Sequence, residues 1–222
     1  MSDGLAAILP LPTALAGNPW AVLGPLAGEA SLVRVARGMP GAAVVVAAAA
    51  LAGLVREALA AQGLSAVDVV TVEEPGSRAQ CLAAGLQHFR DSPHHVLIHD
   101  IRRPLAPDSL RDRVIDALLA GSPIVMPTLA VIDSVKAVDE NGSVTDTLDR
   151  STLQAVQYPR GFAVDELSRL LAGRTSEDFD ELDEALRSGT PITMVDGDAA
   201  AFVVELPRDT GYVEAIIASR QH

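Results

Sequence analysis

The chain has 222 residues, enough for one large α/β domain or two small ones around a substantial core. Seventeen Lys plus Arg stand against 29 Asp plus Glu, a formal charge of −12. That balance argues against a general nucleic-acid or anionic-membrane binder and confines any phosphate site to a local patch.

The opening MSDGLAAILPLP has no basic n-region and no cleavage signal, so secretion is not expected. Within it, LAAILPL (5–11) reads as the first strand. SLVRVARGM (31–39) fits a short helix that turns Leu32, Val33, Val35 and Ala36 inward. AAVVVA (42–47) is a second strand, followed by a helix over 51–63 that Gly63 stops. The apolar run from Gly41 to Val55 falls short of the ~20 residues of a membrane span. VDVVTV (67–72) is a third strand. SRAQCLAAGLQHF (77–89) places apolar residues at 79, 82, 83 and 86, the period of a helix. It contains Cys81, the sole cysteine, so no intrachain disulfide forms and a reducing cytoplasm is expected.

HVLIHD (95–100) is a fourth strand and ends in a burst of charge, His99, Asp100, Arg102 and Arg103, before Pro104. A helix over 107–121 follows, with Asp108 or Ser109 as its cap, then a fifth strand, SPIVMPTL (122–129). Apolar strands separated by helices predict a doubly wound, mostly parallel α/β sheet whose ligands bind at the strands' carboxyl ends. After residue 130 the rhythm changes to apolar and polar alternation around Asn141-Gly142, a hairpin signal. A projecting β-hairpin arm over about 130–158 is therefore expected on a single domain spanning 1–222. Helices over 161–173 and 176–189, late strands ITMVDG and AAFVVEL, and a closing helix DTGYVEAIIASRQH complete the reading. Sixteen of the 17 basic residues are arginine and Lys136 is the only lysine, so chemistry that needs two lysines cannot occur within the chain.

Four stretches, in order, resemble the 2-C-methyl-D-erythritol 4-phosphate cytidylyltransferase family. GSRAQCLAAGL (76–86) is similar to its G-x-R-x-x-S-V-x-x-G-L, and VLIHDIRRP (96–104) to its V-x-[IV]-H-D-A-A-R-P. DSVK (133–136) is similar to its D-T-[ILM]-K, and DRSTLQAVQYPRGF (149–162) to its D-R-x-x-L-x-x-x-Q-T-P-Q-x-F. Weaker likeness continues to the C-terminus. The resemblance implies a nucleotide-diphospho-sugar transferase-like fold and a reaction of CTP with methylerythritol phosphate that releases pyrophosphate. There the protein supplies positioning and positive charge, and Mg2+ shares that task.

Carried over by position, the resemblance puts Asp100 by the ribose or the metal, and Arg103, Ser134 and Arg150 around the sugar phosphate. Gly76, Cys81, Asp100 and Ile101 fall on nucleotide-binding positions. The arm implies a homodimer, since in the family it packs on a second subunit and helps complete its site.

Several positions depart from the family pattern. After its first strand the family has P-A-A-G-x-G-x-R, then P-K, where glycines admit the triphosphate and Arg and Lys neutralise it. Here Pro12, Thr13, Ala14, Leu15 and Ala16 replace the glycines and arginine, and Trp20 stands near the lysine. No basic side chain occurs before Arg34. Val203 takes the place of a second active-site lysine, Ile101 that of a small alanine, Cys81 that of a serine, and Glu74-Pro75 that of Gly-Gly. One lost transition-state donor costs ~3–4 kcal/mol, about 100- to 1,000-fold in rate, and several are missing together. The expectation is catalytic impairment, with turnover near background. The rivals are a working enzyme with an unusual loop, a non-catalytic paralogue serving as a binding or regulatory partner, and a transferase for another nucleotide or sugar.

Overall fold

The computed structural model describes residues 4–89, 93–176 and 179–220. In chain order the elements are β1 (Leu5–Leu11), α1 (Trp20–Leu23), β2 (Pro25–Leu26), β3 (Glu29–Ala30), α2 (Ser31–Arg37), β4 (Ala42–Ala48), α3 (Ala49–Ala61), β5 (Asp68–Val72), α4 (Arg78–His88) and β6 (His95–Ile98). They continue with α5 (Asp108–Leu119), β7 (Ile124–Ala130), β8 (Val135–Val138), β9 (Val144–Leu148), β10 (Gln154–Val156), β11 (Arg160–Ala163), α6 (Val164–Gly173), α7 (Glu181–Ser188), β12 (Ile192–Asp196) and α8 (Thr210–Ser219).

The main sheet runs β12-β7-β11-β6-β1-β4-β5, with β10 pairing further along β7. β1 lies at its centre, parallel to both β4 and β6. Its sequence explains that place, because six of its seven residues are buried and a strand with helices on both faces has no polar side. Ala6 and Ile8 enter one apolar layer with α4, α6 and α7. Ala7, Leu9 and Leu11 enter the other with α1, α2, α3 and α5. Gly85 lets α4 seat directly on β1, since a Cβ there would lie 2.8 Å from Ile8 Cδ1. The ~1 kcal/mol that a helical glycine costs is offset by that close packing.

Two sequence expectations fail here, both for tertiary reasons. GFAV at 161–164 does not open a helix. Arg160–Ala163 forms β11, antiparallel between β6 and β7, with Phe162 fully buried, and the helix starts only at Val164. AAFVVEL does not form a strand either. Ala199–Ala201 is a 3-10 turn, and Val204 N–H bonds instead to the Arg102 carbonyl at 2.8 Å, which lays Val204 and Leu206 on Leu26, Leu105, Val213 and Ile217. A smaller correction concerns α5, whose N-cap is Pro107 with no side-chain cap, rather than Asp108 or Ser109.

The hairpin forms as its Asn-Gly signal implies. β8 and β9 make a separate two-stranded antiparallel sheet, and Ile132, Val138, Val144 and Leu148 are exposed along it. The expected arm is wider than this hairpin, since Gln154–Val156 has already rejoined β7. Among the described residues no helix is long and apolar enough to cross a membrane. Residues 177–178, 221 and 222, which fall in two of the expected helices, lie outside the described residues.

Candidate functional site

The carboxyl ends of β1, β5 and β6 meet at one edge of the sheet, and each is followed by a loop that the sequence marks out. The loop after β6 turns at once, with Arg103 N–H bonded to the Asp100 carbonyl at 3.0 Å. Asp100 is 7% exposed. Its Oδ1 accepts from Arg102 N–H at 2.9 Å and Nε at 3.2 Å, and its Oδ2 from Arg102 Nη2 at 2.8 Å. Burial pushes the Asp100 carboxyl up, but Arg102's hydrogen bonds and charge, with help from Arg78, hold it below the usual carboxylate range.

Arg103 is directed inward. Its Nη1 bonds to the Ala201 carbonyl and its Nη2 to the Val156 carbonyl at 3.3 Å, while the buried Nε has no partner. Carbonyls accept from its two Nη groups without cancelling its charge, and among the described residues it makes no ion pair. Burial lowers its pKa, only partly countered by Asp100. Beneath it, His99 has a buried Nε2 without a partner, and burial together with Arg111 pushes its imidazolium pKa down to about 3, so the ring is neutral.

Ser134 and Arg150 sit elsewhere, at the base of the arm. Both are exposed, and Arg150 Nη1 bonds to the Ile132 carbonyl. Among the described residues no hydrogen bond joins either to Arg103. Lys136 bonds across the hairpin to Thr147 Oγ1 at 2.7 Å. The residues expected around the sugar phosphate thus fall into two parts within one chain, Arg103 on the sheet and Ser134 with Arg150 on the arm.

The positions expected to meet the nucleotide are closed from below. Gly76 has φ of +61°, and a Cβ there would collide with Thr13 Oγ1. Thr13 N–H donates to the Gly76 carbonyl at 2.9 Å and Thr13 Oγ1 to the Pro75 carbonyl at 2.8 Å, so the first loop is pinned to the loop after β5. Ile101 is 3% exposed and packs in the apolar layer with Leu11, Val22 and Leu32, so its side chain offers no surface to a ligand. Cys81 is fully buried, and burial pushes its thiol up to about 11 despite Arg78 nearby, which leaves it unreactive. Trp20 is 49% exposed and Val203 38%, so both positions that the family fills with lysine present apolar side chains to solvent.

Sequence reasoning gave no role to a charged cluster on the other face of the β6 loop. Glu181, fully buried, accepts from Arg78 Nη2 at 2.6 Å and Arg160 Nη1 at 2.9 Å, and Tyr158 OH lies 3.4 Å away. The Tyr158 ring carries Arg160 at 4.3 Å, Arg78 at 5.7 Å and Arg103 at 5.9 Å. Burial and Glu181 together push the Tyr158 phenol up, so it stays protonated and donates. A signal was available, since Tyr158 and Arg160 stand at the family's Thr and Gln in Q-T-P-Q-x-F. Both reach Glu181 here.

A family model for 2-C-methyl-D-erythritol 4-phosphate cytidylyltransferase matches residues 26–219. The match starts after the first loop, the stretch where the departures concentrate. The cytidylyltransferase of Rhodococcus jostii (strain RHA1) is 37% identical over 154 residues, covering 69% of this chain and 68% of the relative. That of Saccharopolyspora erythraea is 36% identical over 209 residues, covering 91% and 92%. Among solved structures, the Thermus thermophilus cytidylyltransferase superposes with a TM-score of 0.72 at 24% identity over 96% of this chain and 98% of that one. A 4-diphosphocytidyl-2C-methyl-D-erythritol synthase gives a TM-score of 0.79 at 20% identity over 98% and 100%. These likenesses support the α/β fold, and the sequence matches carry the further conclusion that this chain belongs to the 2-C-methyl-D-erythritol 4-phosphate cytidylyltransferase family.

Proposed function

We propose that this protein has a cytidylyltransferase-type site for CTP and methylerythritol phosphate whose transfer activity is strongly impaired. The observation that carries the reading is the first loop. It holds no cation, and Thr13 ties it to Pro75 and Gly76 where the nucleotide is expected. Pyrophosphate departs with developing charge, and a loop without Arg or Lys, with Thr13 to Ala16 in place of the family's glycines, offers little to stabilise it. Arg103, a partly buried cation with no ion-pair partner among the described residues, supports retention of a phosphate contact. The exposed apolar residues of the arm support a homodimer in which Ser134 and Arg150 of one subunit face Arg103 of the other. A single domain and a cytoplasmic setting belong to the same proposal, the latter resting on the lone Cys81. The residues present do not suit magnesium at Asp100, because Arg102 engages both its oxygens.

A second reading, a non-catalytic paralogue that binds a partner, is favoured by Trp20 and Val203. Both are half-exposed apolar side chains at the edge of the site. The test is pyrophosphate release from CTP and methylerythritol phosphate with magnesium, beside isothermal titration with CTP. Turnover near background is expected, rising in a variant that carries Trp20→Lys and Val203→Lys. Each new charged hydrogen bond contributes about 1.5–3 kcal/mol, roughly tenfold or more in CTP affinity. Turnover typical of the relatives in the unaltered protein would sink the impaired reading.

A further inference from the structure

The family motif has alanine where this chain has Arg102, so the pairing of Arg102 with Asp100 arises from a residue that the family pattern lacks. A carboxylate oxygen offers about two lone pairs. Arg102 N–H and Nε occupy both on Asp100 Oδ1, and Nη2 takes one on Oδ2. Magnesium demands near-octahedral oxygen ligands and sheds water reluctantly, and a guanidinium on the same carboxylate adds cation–cation repulsion. Among the described residues no group of three His, Cys, Asp or Glu is placed to hold a metal elsewhere. The latch is also local. Arg102 follows Asp100 by two residues in one turn, so its geometry forms with the loop itself, whatever the arm or the first loop does.

We infer that Arg102 is the resident cation of this site, occupying at Asp100 the place that the family resemblance gives to a divalent ion. Its side chain is 52% exposed and its Nη1 has no partner among the described residues, so a phosphate ester arriving at the end of β6 meets a guanidinium fork. A guanidinium binds and orients phosphate oxygens but has no open coordination position, so anion binding here proceeds without metal. This rests on the placing of Asp100 in the ligand site under the proposed function.

The test is Mn2+ titration of the full-length protein, followed as site-selective broadening of 1H–15N amide signals. In the unaltered protein the amides of residues 98–104 are expected to broaden no more than in Asp100→Asn. Arg102→Ala, with Arg102→Gln as the variant that keeps donors without the charge, is expected to show selective broadening there at about tenfold lower Mn2+. The effect should vanish when Asp100→Asn is added. Selective broadening in the unaltered protein that Asp100→Asn removes would overturn the inference. So would a folded Arg102→Ala and a folded Arg102→Gln that both gain none. CTP added with EDTA separates the two readings. If the metal results are as expected and no CTP shift appears at residues 98–104, Arg102 remains the resident cation and the ligand-site placement fails.

Discussion

The loops after β1 and β6 leave neighbouring parallel strands at the same end of the sheet, yet they are built oppositely. The β6 loop packs His99, Asp100, Arg102 and Arg103 into five residues and supports them with a buried network through Glu181 and Tyr158. The β1 loop has no basic side chain and is held by Thr13, by Asn18 bonded to the Leu206 carbonyl at 3.1 Å, and by apolar packing of Val22. Position in the fold therefore makes a ligand site available, but charge at each strand end decides what that site can hold. One half of this site is charged and internally braced, the other apolar and closed on itself.

Three changes break or sharpen that contrast. The largest effect is expected for Glu181→Ala, which leaves Arg78 without its carboxylate and Arg160 with only the partly exposed Asp180. Removing one partner of a buried ion pair costs ~3–5 kcal/mol. Urea unfolding should show that loss, and a change below about 1 kcal/mol would mean that the bracing is superficial.

The second concerns pH. His99 titrates near 3 when folded against 6.5 as its ordinary value, so the unfolded chain binds the proton first. Its contribution is complete above about pH 6.5 and is lost as pH falls toward 3, with a slope of up to about 1.4 kcal/mol per pH unit. Arg34, Arg103, Arg111 and Asp108 line the same cleft. Stability measured between pH 6.5 and 5, above most carboxylate titration, should decline less steeply in His99→Gln than in the unaltered protein. Equal slopes would show that His99 is not held neutral by the fold.

The smallest effect is expected on the β1 side. Thr13→Ala removes the Oγ1 bond to Pro75 and should cost about 0.5–1.5 kcal/mol in thermal unfolding, leaving the backbone bond to Gly76 in place. If the loop is closed on the nucleotide positions, the same variant should raise CTP affinity. No change in either quantity would show that the Thr13 side chain does not hold the loop.

Much of the fold was legible in the sequence. Strands β1, β4, β6 and β7 are apolar runs mostly buried on both faces, β5 is an apolar run at the sheet's edge, and the helices between them keep the 3.6-residue period. The failures were GFAV and AAFVVEL, short apolar stretches whose state depends on an empty edge to join. β6 and β7 left room for the first, while Arg102 offered only a single carbonyl to the second. In the candidate site, Asp100 and Arg103 were legible as residues but not as geometry, and Ile101 and Cys81 proved to be core.

By itself, the sequence determined the alternation of strands and helices, the hairpin and the order of family motifs. It also determined the absence of any cation before Arg34. These are properties of local spacing and composition. Only the tertiary structure decided where each charge goes. Arg103 meets carbonyls 53 and 98 residues away, and Arg78 meets a carboxylate 103 residues away. Such partners are chosen by which strand ends the sheet brings together and by the need of a buried donor for an acceptor, and neither is written in the neighbouring residues.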